Sequence, residues 1–357
     1  MDILENPQKY RSIDPQEMYR SILKFPEQIL EAIEIVRSSD VDDIDSKSID
    51  NILLLGMGGS AIGGDLVRAF SESELKIPFM VNRTYDIPAF VGKNTLLLVS
   101  SYSGNTEETL SAMSQAIEKT NNIICISTNG KLEKICQDNG YPLVKLPKGF
   151  QPRAALGYSF TAVLLLLSEL GFIRDRQNQL KEASKKLIKK FDHLKREVER
   201  KRNHAKAIAH VLHNKLPIIY TSSKVWNSVG LRIRGQIEEN AKMLAYSNEF
   251  PEMNHNEIVG WNKIEFLKDR IVPIFIMDED IHRKVKFRMN FTKEIFEKMG
   301  IESITIEDDS DTLIERIMSI IQIGDFISYY LAILNQVDPM PVRIIEHLKQ
   351  QLELFND

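Results

Sequence analysis

Short apolar runs that end in glycine-rich or hydroxyl-rich turns recur along this chain, and segments with helical spacing follow them. Such runs are typical of parallel strands that are buried on both faces of a sheet. In the first half of the chain they lie at 51–56, 79–81, 95–99, 123–127 and 143–146. Because helical segments lie between them, the pattern predicts an α/β fold with a mainly parallel sheet flanked by helices.

The second half of the chain repeats this alternation more weakly. Further apolar runs lie at 216–220, 270–277 and 303–306, and closing helices are predicted at 311–335 and 341–355. A strand, a hydroxyl-rich turn and a helix therefore occur in both halves. This predicts two related α/β lobes rather than a cofactor domain and a substrate domain.

The region between the halves has a different composition. Residues 175–214 are rich in Lys, Arg, Glu and Gln and carry apolar residues at helical spacing, as in an amphipathic helix. After it, a helix is expected to follow the turn at 221–223 and to run to about residue 246. We predict an N-terminal lobe at 1–173, a helical connector at 174–214 and a C-terminal lobe at 215–357.

Composition excludes several classes of protein. Lys and Arg total 46 against 50 Asp and Glu, so the net charge of −4 gives no indication of a nucleic-acid partner. The most apolar stretch, 160–167, is too short to span a bilayer and is predicted to be a buried helix. The N-terminal residues lack a basic segment followed by an apolar core, so we expect no signal peptide and no membrane partner.

Cysteine and histidine usage gives no indication of a metal site. Cys125 and Cys136 are the only cysteines, and neither belongs to a Cys-x-x-Cys or Cys/His cluster. We therefore expect no disulfide framework, no structural zinc and a reducing, cytoplasmic location. Four histidines in or near the connector lack an accompanying arrangement of carboxylates, and we interpret them as surface residues; they are His193, His204, His210 and His213.

The first turn that could carry chemistry is at 56–64 (GMGGSAIGG), after a predicted strand and at the start of a predicted helix. Glycine lets the backbone approach an anion closely, and the helix N-terminus supplies free N–H groups, to which Ser60 would add a hydroxyl. A tight turn without a ligand explains the glycines almost as well. A dinucleotide site is a further alternative, but the next strand ends in Asn82 and Arg83 rather than an acidic residue.

A second turn of this kind lies at 99–109 (VSSYSGNTEET) and places three hydroxyls around Gly104. Such hydroxyls also cap helices, and Thr106 fits a cap alone. Two such turns at the carboxyl ends of strands in one sheet, however, favour a crevice that binds phosphate. The predicted phosphate ligands are Gly59, Ser60, Ser101, Ser103 and Thr106.

These two turns resemble the sugar isomerase domain, which binds phosphosugars. The rest of the chain is similar to one branch, the bifunctional phosphoglucose/phosphomannose isomerases. The residues that carry this closer resemblance are 152–158 (PRAALGY), 234–242 (RGQIEENAK), 254–257 (NHNE), 338–342 (DPMPV) and 348–349 (LK). They run across nearly the whole chain in the family order, although Met340 stands where the family usually has a small hydroxyl residue.

The resemblance implies an aldose–ketose isomerase that interconverts glucose 6-phosphate and mannose 6-phosphate with fructose 6-phosphate through a cis-enediolate. It implies that Glu239 is the base, that Arg153 stabilises the enediolate, and that His255 opens the sugar ring from the neighbouring subunit of a homodimer. Lys349 resembles a C-terminal active-site lysine of the family. Proton transfer through an enediolate needs a base and a nearby cation, and we expect no cofactor and no metal.

The residues themselves leave plainer alternatives open. Glu239 shares a helix face with Arg232 and Gln236, whereas Glu238 lies about 100° away and is expected to face solvent. Without the resemblance, a surface salt bridge to Lys242 would be the preferred explanation of Glu239. An arginine at a helix start, a loop histidine and a lysine on a solvated helix face are likewise common.

Two alternative functions are also open. A non-catalytic phosphosugar sensor would keep the phosphate-binding hydroxyls but would not need Glu239 or His255, and both are present. An isomerase of another phosphosugar, such as an amino-sugar or pentose phosphate, would keep the base as well. The chain has no segment that resembles a glutaminase or deaminase partner domain, which disfavours amino-sugar synthesis.

Overall fold

Two parallel sheets organise the chain in the computed structural model, which describes residues 2–41 and 44–355. The strands of these residues are β1 (Asn51–Leu55), β2 (Phe79–Asn82), β3 (Thr95–Ser100), β4 (Ile123–Ser127), β5 (Leu143–Lys145), β6 (Leu216–Ser222), β7 (Tyr246–Phe250), β8 (Ile271–Ile276) and β9 (Ile304–Ile306). The helices are α1 (Pro7–Ile13), α2 (Met18–Leu23), α3 (Phe25–Arg37), α4 (Gly58–Ser71), α5 (Glu107–Ala116), α6 (Gly130–Asn139), α7 (Leu156–Glu169), α8 (Gln177–Lys190), α9 (His204–Leu212), α10 (Val225–Ala241), α11 (Glu257–Gly260), α12 (Arg283–Lys298), α13 (Leu313–Leu334) and α14 (Arg343–Leu354).

The first sheet has the order β2-β1-β3-β4-β5, and all its pairs are parallel. Two of its three inner strands, β1 and β3, pair with Leu54 opposite Leu98 and are buried along almost their whole length. Burial on both faces explains why these strands appear in the sequence as continuous apolar runs. The five predicted strands of the first half are confirmed.

The second sheet has the order β7-β6-β8-β9 and is also parallel throughout. Three of its strands were predicted. The prediction of helix to about residue 246 was wrong at its end, because α10 stops at Ala241, Lys242 adopts a left-handed φ of 56° and β7 begins at Tyr246. β7 is a partly exposed edge strand, so its sequence lacks the apolar run that identified the others.

The segment predicted as one helical connector contains two α-helices, α8 and α9, separated by short 3-10 turns. Both pack on α13, which also packs on α10 and lies at the centre of the molecule. By length and composition α13 could cross a membrane, but every residue of its apolar window is buried inside the protein. It is therefore the core helix that both halves of the chain share.

Candidate active site

The two predicted phosphate-binding turns lie side by side, because they follow the adjacent strands β1 and β3. They are joined by a hydrogen bond in which the backbone N–H of Tyr102 donates to the Ser60 hydroxyl at 3.2 Å. Within the second turn the hydroxyls of Ser101 and Thr106 are 2.8 Å apart. Ser60 and Ser101 are buried, whereas Ser103 is exposed.

The N-termini of α4 and α5 both lack a capping side chain. Thr106 occupies the N-cap position of α5, but its hydroxyl is hydrogen-bonded to Ser101 instead of capping the helix. Thr106 therefore does not act as a side-chain cap, which was the alternative explanation for its position. Backbone N–H groups in the first turn of a helix are suited to bind an anion such as phosphate.

The second turn depends on a glycine. Gly104 has a φ of +69°, and a Cβ atom at this position would lie 1.6 Å from the carbonyl oxygen of Asn129. The Gly104 carbonyl also accepts a hydrogen bond from the backbone N–H of Leu132 in α6. The start of α6 therefore packs directly against the turn and fixes its backbone.

Arg153 lies between the turns and the second half of the chain. A Cβ atom on Gly59, at the start of α4, would come within 2.5 Å of the Pro152 carbonyl oxygen, so the segment that carries Arg153 passes directly against α4. The Arg153 side chain is only 3% exposed. Burial lowers the pKa of Arg153, the nearby Glu239 carboxylate counteracts this, and Arg232 adds to the lowering.

The Arg153 guanidinium contacts two separate segments of the chain. Its Nε donates to Asn240 Oδ1 at 2.8 Å and its Nη1 donates to Glu239 Oε2 at 3.2 Å. Its Nη2 donates to the backbone carbonyl oxygens of Pro339 and Met340, at 2.7 and 2.6 Å. The 338–342 segment thus holds Arg153 through its backbone, and the Met340 side chain is buried.

The carboxylate of Glu239 faces Arg153 rather than Lys242. The Lys242 ammonium group donates to the Glu239 backbone carbonyl at 2.5 Å, so the alternative of a salt bridge between the two side chains is not the contact that forms. Desolvation, followed by the repulsion of Arg153, lowers the pKa of Lys242 to about 8.

Exposure does not separate Glu238 from Glu239, since their side chains are 37% and 34% exposed. We expected Glu238 to be clearly the more exposed of the two carboxylates, and the structure shows almost no difference between them. Their partners differ: Glu238 lies 3.8 Å from Arg234 one turn earlier in α10, whereas Glu239 pairs with the buried Arg153. The buried Arg153 thus distinguishes Glu239 from Glu238, whereas exposure does not.

The α10 face that carries Glu239 continues into the core. Arg232 Nη2 lies 3.1 Å from Asp325 of α13, and Gln236 Nε2 donates to the same carboxylate at 2.7 Å. Burial raises the pKa of Asp325, and Arg232 and Gln236 oppose this. This buried ion pair fastens α10, and with it Glu239, to the central helix.

A cavity of about 610 Å³ lies between α4 and α10. Gly59, Arg153, Arg232, Gly235 and Glu239 are among the residues that line it. The predicted base and the predicted oxyanion-stabilising arginine therefore lie in one cavity, beside the start of the helix that follows the first phosphate turn.

His255 and Lys349 do not join this cluster within one chain. His255 is exposed at the end of a 3-10 turn, and it does not line the cavity between α4 and α10. Glu257, two residues further along the chain, accepts hydrogen bonds from Tyr220, Asn248 and Trp261. Lys349 lies on α14, a helix with no buried residue.

Sequence reasoning missed the residues that hold Arg153 in place. Asn240 and the carbonyl groups of Pro339 and Met340 contact it from positions 87, 186 and 187 residues away along the chain. Asn240 lies in the 234–242 motif, next to the predicted base, which was the only available signal. Within residues 2–41 and 44–355, no group of three or more His, Cys, Asp or Glu side chains could hold a metal ion.

Comparison of the fold and sequence with those of known proteins identifies the structural class of this protein. The fold is similar to that of the tagatose-6-phosphate ketose/aldose isomerase of Escherichia coli, with a TM-score of 0.68 at 14% identity over 91% of this chain and 96% of that one. Residues 201–352 match the family described as bacterial phospho-glucose isomerase C-terminal SIS domain. The protein is thus a sugar-isomerase-type α/β protein.

The sequence comparisons narrow this class to one family. The chain is 41% identical over 340 residues to the bifunctional phosphoglucose/phosphomannose isomerase of Caldicellulosiruptor bescii, covering 95% of this chain and 100% of that protein. It is 36% identical over 303 residues to the protein of that name from Aquifex aeolicus, covering 85% and 90%. The chain belongs to the bifunctional phosphoglucose/phosphomannose isomerase family.

Proposed function

We propose that this protein interconverts glucose 6-phosphate and mannose 6-phosphate with fructose 6-phosphate in the cytoplasm. The contact between Arg153 and Glu239 at the cavity wall, next to Gly59, is the observation that carries this proposal. It supplies a carboxylate and a cation within one hydrogen-bond distance, beside a turn suited to phosphate. The names of the two relatives supply the substrates.

In this proposal the phosphate group of the sugar binds to the two turns that follow β1 and β3. The Ser60, Ser101, Ser103 and Thr106 hydroxyls, with the Gly59 N–H, act as donors to the phosphate oxygens. Because the N-termini of α4 and α5 lack side-chain caps, their N–H groups and dipoles add to this attraction. A dianion is therefore bound without a cluster of lysines, which agrees with the net charge of −4.

Glu239 then moves the proton. Its carboxylate removes the proton from carbon 2 of the open-chain aldose, and the carbonyl oxygen takes up negative charge to give a cis-enediolate. Arg153 stabilises that charge, the hydroxyl proton on oxygen 2 passes to oxygen 1, and Glu239 returns the carbon-bound proton to carbon 1 to give the ketose. Glucose and mannose phosphates differ only at carbon 2, so both epimers lead to the same enediolate.

Ring opening requires an additional proton carrier, which we assign to His255 of a second subunit in a homodimer. The exposure of His255 and its position away from its own chain's cavity support a role across an interface. Lys349 assists by donating to the ring oxygen or to sugar hydroxyls.

The test is an assay of purified protein with glucose 6-phosphate and mannose 6-phosphate separately, following fructose 6-phosphate. We expect turnover of both aldoses. Binding of the sugars to folded protein without any turnover would instead support a phosphosugar sensor. Turnover of glucose 6-phosphate alone would restrict the proposal to one epimer.

A further inference from the structure

The last helix of the described chain presents an unpartnered apolar surface. In α14, residues 344, 345, 348 and 352 form an apolar stripe, hereafter the α14 stripe. Ile344 is 87% exposed and Leu348 is 57% exposed, and no residue of the helix is buried. A helix with such a face is stable in water only when another surface covers the face.

A second exposed apolar surface lies on α12. Phe287 and Phe291 are 69% and 49% exposed, and their rings stack at a centroid distance of 6.1 Å. Together with Ile258 they line a groove of about 380 Å³, hereafter the α12 groove. The groove is thus wide enough to receive apolar side chains of a helix.

The total surface of the chain is large enough to include an interface with another chain. The chain exposes 17364 Å², whereas a compact monomer of 41.0 kDa exposes about 14,700 Å². The excess of about 2,700 Å² is larger than the roughly 800 Å² per partner that a standard interface buries. A second copy of the chain is the partner that carries both of these exposed apolar surfaces.

We propose that α14 of each subunit packs its stripe into the α12 groove of a second copy, in a reciprocal twofold dimer. This inference rests on the homodimer of the proposed function and identifies its contact surfaces. Reciprocal pairing buries both apolar surfaces twice with one type of contact.

The pairing also explains how the active site is completed. The first turn of α14, with Ile344 and Ile345, lines a second cavity together with Glu239. The α12 groove is lined by Asn254 and Ile258, which flank His255. Packing α14 into the partner's groove therefore brings the partner's His255-bearing segment towards the Glu239 end of the cleft.

The test uses two differently tagged chains that are co-expressed, one carrying Leu352→Cys and the other Phe291→Cys. We expect mild oxidation to link the two tagged chains covalently, because the native Cys125 and Cys136 are buried and do not compete. Ile188→Cys, which replaces another exposed apolar residue, is the matched control for Phe291→Cys and should not link.

Leu348→Asp gives an independent readout. It should weaken dimerisation at least 100-fold in sedimentation, and the dissociated chain should keep its folded circular-dichroism spectrum, since α14 buries no residue in its own chain. A stable dimer with no link from position 352 to 291, or an undisturbed Leu348→Asp dimer, would overturn this inference. If either of these dimers has isomerase activity, the proposed function is still supported. An active monomer would instead contradict the role of a partner histidine, and binding of the α14 stripe to lipid vesicles would also overturn the inference.

Discussion

Arg153 Nη1 lies 3.2 Å from Glu239 Oε2, which joins the segment after the first sheet to the end of α10. The other nitrogens of the same guanidinium are occupied by Asn240 and by the carbonyl groups of Pro339 and Met340. A planar five-donor group can hold all these acceptors at once, which a lysine cannot do. The position of the proposed base is therefore fixed by contacts from both halves of the chain.

Glu239→Gln should lower turnover by about 100-fold or more, because the amide keeps the size of the side chain but cannot accept the proton. The assay is the initial rate with either aldose phosphate. Glu238→Gln is the matched control, since it changes the neighbouring carboxylate, whose partner is Arg234. A large loss of turnover with Glu238→Gln and little loss with Glu239→Gln would show that Glu238, not Glu239, is the base.

Asn240→Ala should lower kcat by roughly 10- to 100-fold with a smaller change in KM, because Arg153 loses the acceptor for its Nε and can shift from the reacting atoms. Phosphate binding depends on the turns after β1 and β3 and should persist. Steady-state kinetics with glucose 6-phosphate separate the two parameters. An equal effect on thermal stability and on kcat, with KM raised in parallel, would indicate a purely structural role.

Gly104→Ala should destabilise the protein by more than about 2 kcal/mol, because the new Cβ would clash with the Asn129 carbonyl in a left-handed backbone. Gly140→Ala is a matched control. Gly140 has nearly the same φ of +71°, but no atom lies within 4 Å of its added Cβ. The control should cost only about 1–2 kcal/mol in urea unfolding. Equal losses would show that the close approach at Gly104 is unimportant.

Asp325→Ala should destabilise the protein by about 3–5 kcal/mol, because it leaves the Arg232 guanidinium buried without its carboxylate. The double variant Arg232→Met with Asp325→Leu should recover most of this loss, since it removes both charges. Chemical denaturation of the two variants measures the difference. A double variant less stable than Asp325→Ala would contradict an uncompensated buried charge as the cause.

Glu74 should make stability depend on acid pH. Hydrogen bonds from Arg174 hold the pKa of Glu74 at about 2, against an ordinary value of 4.5, and the nearby Arg176 guanidinium also lowers it. The folded state therefore binds this proton less readily than the unfolded state. The stabilisation is fully present above pH 4.5 and is lost as the pH falls towards 2. The stability difference between wild type and Glu74→Gln should shrink over that window in urea unfolding, and a constant difference would contradict the prediction.

The sequence by itself determined the strands that are buried on both faces and the turns that follow them. In β1 and β3 this burial requires continuous apolar runs, which are visible in the sequence. The turn at Gly104 requires glycine because of its own backbone conformation. The edge strand β7 escaped prediction because it is only partly buried and has no comparable run. Local patterns thus identified the two lobes and the candidate phosphate site.

Only the tertiary structure decided which groups surround Glu239. Its exposure is nearly that of Glu238, and the difference between them is the buried Arg153, which comes from a segment 86 residues earlier in the chain. Asn240, the Pro339 and Met340 carbonyls and Asp325 act at similarly long range. Sequence periodicity describes the faces of single helices and strands, whereas such contacts arise only when separate elements pack together.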